Sequence, residues 1–181
     1  MGTPRRATIA KKFGNLDLEI QTSFEFFPDL FSNFPSDVSL SYLFPKIELA
    51  QHNTIYCGIV KLHKVNHQIA RIAVNNWHIT RPGFKEKYKI IFENEIDEDI
   101  AQRLEHAEKT RDRLLHGKKV ADGTMRQAIY DIFEYADGLS AMVRSHAGFT
   151  PFGKLSGFKG RAKPHDKSTS RWILKGMGFA V

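Results

Sequence analysis

The stretch Thr110-Arg111-Asp112-Arg113-Leu114-Leu115-His116-Gly117 gathers three residue types that can act on a phosphodiester. Arg111 can stabilise charge developing on a phosphorane. His116 can take the proton from a ribose 2′-hydroxyl or give one to the leaving oxygen. Asp112 stands four residues before His116, one helical turn away, where its carboxylate can orient the imidazole. Chemistry of this kind leaves a 2′,3′-cyclic phosphate and a 5′-hydroxyl, and it needs no metal or cofactor.

A helix must position these groups. Ile100, Leu104, Ala107, Arg111 and Leu114 recur at steps of four, three, four and three, the spacing of one helical face. The acidic run Glu93, Glu95, Asp97, Glu98 and Asp99 suits the positive end of that helix, and Gly117 suits its termination. Arg111 falls in the apolar phase, where an unpaired charge is costly, so it requires an acid, a second subunit or a bound anion. Five residues along a helix set Arg111 and His116 about 140° apart around the axis. One unbroken helix therefore does not aim both at one phosphate, whereas a two-fold dimer can pair Arg111 of one chain with His116 of the other.

An arginine followed directly by Asn, Asp or His, with four to six residues between the arginine and a histidine, resembles the signature of the HEPN superfamily of helical-bundle proteins. Here the matching residues are Arg111, Asp112 and His116. The resemblance implies an all-α antiparallel bundle over residues 37–148. It also implies a metal-independent endoribonuclease acting as a homodimer, as in many toxin and antiviral-defence systems, with RNA as substrate and an antitoxin or other regulatory protein as partner. Other members of that superfamily have lost the chemistry, which leaves a non-catalytic RNA-binding or protein-interaction module as an alternative. A purely structural role, with Arg111 and Asp112 in ion pairs and His116 closing a helix, is a further one. A second Arg-to-His spacing, Arg71 to His78, is set aside: Ile72 follows the arginine, and Arg71 shares its face with Lys64, Gln68, Asn75 and His78, a solvated pattern.

The rest of the chain supplies context. At 181 residues and 41% hydrophobic composition, it is long enough for one well-buried domain. A single cysteine, Cys57, excludes an intrachain disulfide. No apolar run reaches the roughly 18 residues of a membrane helix, and neither Arg5-Arg6 nor Met1-Gly2 sits in a working export or acylation signal, so a cytoplasmic protein without membrane partners is expected.

Residues 1–36 read as a mostly irregular arm: the cluster of phenylalanines from Phe24 to Phe34 can dock on a core, but Gly14, Pro28 and Pro35 punctuate it. Ser36-Asp37 opens a helix, Pro45 begins or kinks the main one, and two apolar stripes run side by side to Trp77. His63 and His67, at i and i+4 in that stretch, read as core or interface histidines, since no ligand cluster accompanies them. Arg81-Pro82-Gly83 breaks the chain before a shorter helix from Phe84 to Phe92. The clearest helix carries Met125, Ile129, Ile132, Ala136, Leu139 and Val143, behind a capping-box pattern of Thr124 and Gln127.

Charge is concentrated in the C-terminal extension, residues 149–181, rich in glycine and aromatics. Of the net +7, +6 lies beyond Ala147, a distribution that suits a polyanion. Lys118, Lys119, Arg161, Lys163 and Arg171 are the candidates for nucleic-acid backbone contacts. The tail's aromatics could stack on unpaired bases or pin the tail to the bundle, and Ser168 to Lys175 predicts a short helix closed by Gly176.

Overall fold

The computed structural model describes residues 2–155 and 163–181. Among them are nine helices and no strand, an all-α bundle as the periodicity requires. In chain order these are α1 (Arg6–Gly14), α2 (Leu18–Ser23), α3 (Phe27–Asn33), α4 (Ser36–Leu62), α5 (His67–Asn75), α6 (Arg81–Phe92), α7 (Glu98–Leu115), α8 (Asp122–Ala147) and α9 (Lys167–Gly176). No described helix is long and apolar enough to cross a membrane. Contacts group the chain into two compact units, one made of Met1–Ile47 and Asp97–Ala141, the other of Glu48–Ile96 and Met142–Val181. Helices α4 and α8 contribute to both.

In the first unit the N-terminal residues are helical, where an irregular arm is expected from the sequence. The punctuating residues separate three short helices instead of preventing them: Gly14 is the last residue of α1, Pro28 lies in the first turn of α3, and Pro35 immediately precedes α4. Helices of nine, six and seven residues are too short to display a period. Their order comes from packing. Phe27 is buried with its ring 5.1 Å from Phe13, 5.0 Å from Phe31 and 4.8 Å from Phe133 of α8. Each phenylalanine so buried contributes roughly 2 kcal/mol. The starts of α4 and α8 are joined, since Ser36 Oγ donates to Asp122 Oδ1 at 2.6 Å. Helix α8 therefore begins two residues before the expected cap at Thr124.

The second unit corrects the long helix expected to Trp77. Helix α4 starts at Ser36, runs through Pro45 and stops at Leu62, and α5 starts afresh at His67. Asn66, in phase with the apolar stripe, caps α5 with its Oδ1, accepting from Gln68 N and Ile69 N at 3.0 and 3.4 Å. Lys64 takes the left-handed conformation, φ 52°. The backbone groups this break frees are met by the far end of the chain: His165 N donates to Lys64 O at 2.8 Å, and Asn66 N donates to Ser170 Oγ at 2.9 Å. Thr80 caps α6, Oγ1 accepting from Gly83 N at 3.2 Å, so Arg81-Pro82-Gly83 is that helix's first turn and not a breaker. A Cβ on Gly58 would stand 2.7 Å from Ile91 Cγ2 and from Phe92 Cζ, so only glycine lets α4 and α6 approach this closely. Cys57, beside it, is fully buried, and loss of solvation pushes its thiol up to about 12.

Candidate functional site

Helix α7 carries the motif and has both ends sealed as the sequence implies. Asp97 Oδ1 accepts from Asp99 N at 2.9 Å and Ile100 N at 3.4 Å, with Glu98 and Asp99 in the first turn. At the other end Gly117 has φ 67°, Gly117 N donates to Leu114 O at 2.9 Å and Lys118 N to Arg113 O at 2.9 Å. That pair of bonds is a Schellman motif, which places His116 at the C-cap. The imidazole is exposed there, and so are Lys118 and Lys119 in the link that follows.

The buried face of α7 is formed by Ala101, Leu104, Ala107 and Thr110, and Arg111 lies on its flank with 28% of its side chain exposed. An aromatic ring and a carboxylate are among its contacts. The guanidinium lies 4.5 Å from the centroid of the Phe44 ring of α4, and Asp112 Oδ1 accepts from Nε at 3.3 Å and Nη2 at 3.2 Å. The partners its phase calls for thus include an acid, the adjacent one, and an aromatic shelf. Asp112 turns its carboxylate to Arg111; what it offers His116 is its carbonyl, which accepts from His116 N at 3.0 Å within the helix. Among the described residues, no hydrogen bond joins the Asp112 carboxylate to the His116 imidazole. Arg111 and Asp112 are therefore brought together, while His116 stands apart at the helix end. Of the other nominated cations, Lys163 and Arg171 are exposed in the second unit, and Arg161 lies outside the described residues.

A second polar cluster has no motif in the sequence. Asp131 of α8, with only 3% of its side chain exposed, accepts at Oδ1 from Arg103 Nη1 and Gln127 Nε2, both at 3.0 Å, and at Oδ2 from His106 Nδ1 at 2.5 Å. A buried carboxylate holding Nδ1–H fixes the ring and leaves Nε2 free at a half-exposed position, the arrangement of an oriented proton carrier. The available signal was Asp131 itself: it shares a helical face with Ala128 and Tyr135, both buried, and an acid in such a phase needs partners. Phe44 carried no comparable signal, because nothing local to its sequence points to an arginine on another helix.

Neither cluster forms a metal centre, and no described residues bring three or more His, Cys, Asp or Glu side chains together in ligand geometry. His63 and His67 are separated by the break after α4. The ring of His63 is tied through Nε2 to Ile91 O at 2.8 Å, while His67 is exposed at the start of α5. In the second unit a groove of about 400 Å³ is lined by His52, Asn53, Tyr56 and Arg71 among others, with the Arg71 guanidinium 5.6 Å from the Tyr56 ring centroid. His78 lines a neighbouring groove of about 370 Å³ that also has His52 and Asn75 in its wall. Arg71 and His78 are both exposed, in keeping with the solvated pattern of that spacing. Compared with known proteins, the chain matches no family model, no curated relative and no solved structure.

Proposed function

We propose that the protein is a metal-independent endoribonuclease of HEPN type that works as a cytoplasmic homodimer and serves as a toxin or antiviral-defence effector. The observation that carries the reading is the state of the motif: Arg111 is braced by Phe44 and Asp112, and His116 is exposed at the C-cap beside Lys118 and Lys119. In this reading Arg111 neutralises charge on the phosphorane, His116 moves the proton of the 2′-hydroxyl or of the leaving oxygen, and the two lysines hold the adjoining phosphates. Asp112 acts on Arg111, as a positioning residue. With Arg111 and His116 about 140° apart around α7, each site takes the arginine of one protomer and the histidine of the other.

The test is cleavage of single-stranded RNA in EDTA, with His116→Ala and Arg111→Ala chains assayed separately and then after mixing and refolding together. Each alone is inactive, and the mixture regains about a quarter of wild-type activity, because half of its dimers contain one intact composite site. A stable monomer, or a mixture that stays inactive while wild type cleaves, removes the composite site. Cleavage by all three chains alike removes the motif from the chemistry.

A second reading, a non-catalytic RNA-binding or protein-interaction module, is favoured by the commitment of the Asp112 carboxylate to Arg111, which leaves His116 without an orienting acid in the single chain. Binding of RNA without cleavage, unchanged by His116→Ala, is its signature.

A further inference from the structure

Helix α9 buries one face and displays a tryptophan at the centre of the other. Ser170, Leu174 and Met177 are buried, Ser170 Oγ accepts from Asn66 N, and Asp166 caps the first turn, accepting from Ser168 N at 2.8 Å and Thr169 N at 2.9 Å. Beyond the helix, the Phe179 ring packs 5.9 Å from Trp77. The helix is thus fixed on its unit. Positions two residues apart on a helix differ by about 160° around the axis, so Trp172 points away from both Ser170 and Leu174. It is 81% exposed.

A singly exposed apolar side chain is ordinary, and what sets this indole apart is the charge around it on an anchored helix. Its surroundings are small or cationic. Ser168, Thr169 and Gly176, at i−4, i−3 and i+4, are short enough to leave the ring faces uncovered. Arg171 and Lys175 flank the ring at i−1 and i+3, Lys163 and Lys167 precede it, and all four are exposed. The acid of this segment, Asp166, is engaged as the cap, and the Thr169 backbone N–H is the chief reason its carboxyl is held below the usual range.

We propose that Trp172 is a stacking platform for an unpaired base of a single-stranded nucleic acid, with Arg171 and Lys175 on the adjoining phosphates. A flat π-face between mobile cations is what sequence-tolerant binding of single strands uses. A bilayer is a poorer fit, because an interfacial helix inserts its apolar face and the apolar face of α9 is already buried. The inference takes its ligand class from the RNA reading above but is independent of cleavage.

The test uses the full chain carrying Trp77→Phe, so that Trp172 is the sole indole, titrated with dT12, which lacks the 2′-hydroxyl and is not cut by 2′-hydroxyl attack. The expected result is quenching of the indole on binding, and a loss of dT12 affinity of about fivefold or more in Trp172→Ala, read by anisotropy of labelled oligomer. Trp172→Phe keeps part of the affinity, and Arg171→Gln and Lys175→Gln each flatten the salt dependence by roughly 0.7 in logarithmic slope. Unchanged emission with dT12, or wild-type affinity in Trp172→Ala, overturns the proposal. So does quenching by phosphatidylserine vesicles in place of dT12, or self-association that Trp172→Ala abolishes, each of which assigns the ring to another partner. Loss of cleavage in His116→Ala with dT12 binding intact leaves the platform standing, and an uncleaved RNA that still quenches Trp172 separates failure of the nuclease reading from failure of this one.

Discussion

Helix α7 carries two histidines ten residues apart, and they are held in opposite ways. His106 lies mid-helix, 49% exposed, with Nδ1–H fixed by a buried carboxylate on α8 that also receives Arg103 and Gln127. His116 lies at the C-cap, exposed, with the nearest acid on its own helix turned to Arg111. An imidazole held from behind by a buried acid is rigid and has one tautomer, whereas one at a helix end keeps its rotamers and both ring nitrogens open to a partner. What distinguishes them is the source of the orienting group: a second helix supplies it for the first, and among the described residues none supplies it for the second, a place that the function proposed above gives to a substrate or another protomer.

Replacing each histidine by alanine is the widest test of that contrast. His116→Ala is expected to lower RNA cleavage by about 10²- to 10⁴-fold with the melting temperature unchanged, while His106→Ala leaves cleavage within a few-fold and lowers stability. The reverse pattern would make the Asp131–His106 pair the proton carrier. Asp131→Ala comes next: three donors lose their acceptor, all of them on partly exposed residues able to rehydrate, so about 2 kcal/mol of unfolding free energy is lost in urea titration. In the wild type, ¹⁵N spectra should show His106 as the Nδ1–H tautomer; an Nε2–H form would dissolve the contrast without any mutation.

Gly138→Ala probes the crossing that aligns the pair. Its Cβ would meet Ile100 Cδ1 at 2.6 Å and Cγ1 at 2.8 Å, so either the Ile100 side chain or the α7–α8 crossing must shift. A cost of about 1 kcal/mol is expected after the gain in helix propensity, with the His106 resonances shifted more than those of His116. The smallest effect belongs to Asp112→Asn, which weakens a half-exposed ion pair worth about 0.5 kcal/mol at most. Cleavage should fall through Arg111, most at low salt where the pair is least screened, while His116→Ala shows no such salt dependence. A stability loss as large as that of Asp131→Ala would mean the Arg111 pair is structural.

Much of this is legible in the sequence. The apolar steps locate α7 and α8, Asp97 and Gly117 mark the two ends of α7, and the phase of Arg111 calls for a partner. The three N-terminal helices are hidden because none is long enough to show a period. The break between α4 and α5 is hidden as well, because residues a hundred positions away satisfy it.

By itself the sequence determined the helical class, the ends of the motif helix and the charge of the C-terminal extension, since propensity, capping and charge act within a few residues. Only the tertiary structure decided that Asp131 serves His106, that Phe44 lies under the guanidinium and that Trp172 is left in water. A side chain's partner is set by which helix packs opposite it, and that is chosen by burial over the whole chain and not by its neighbours in sequence.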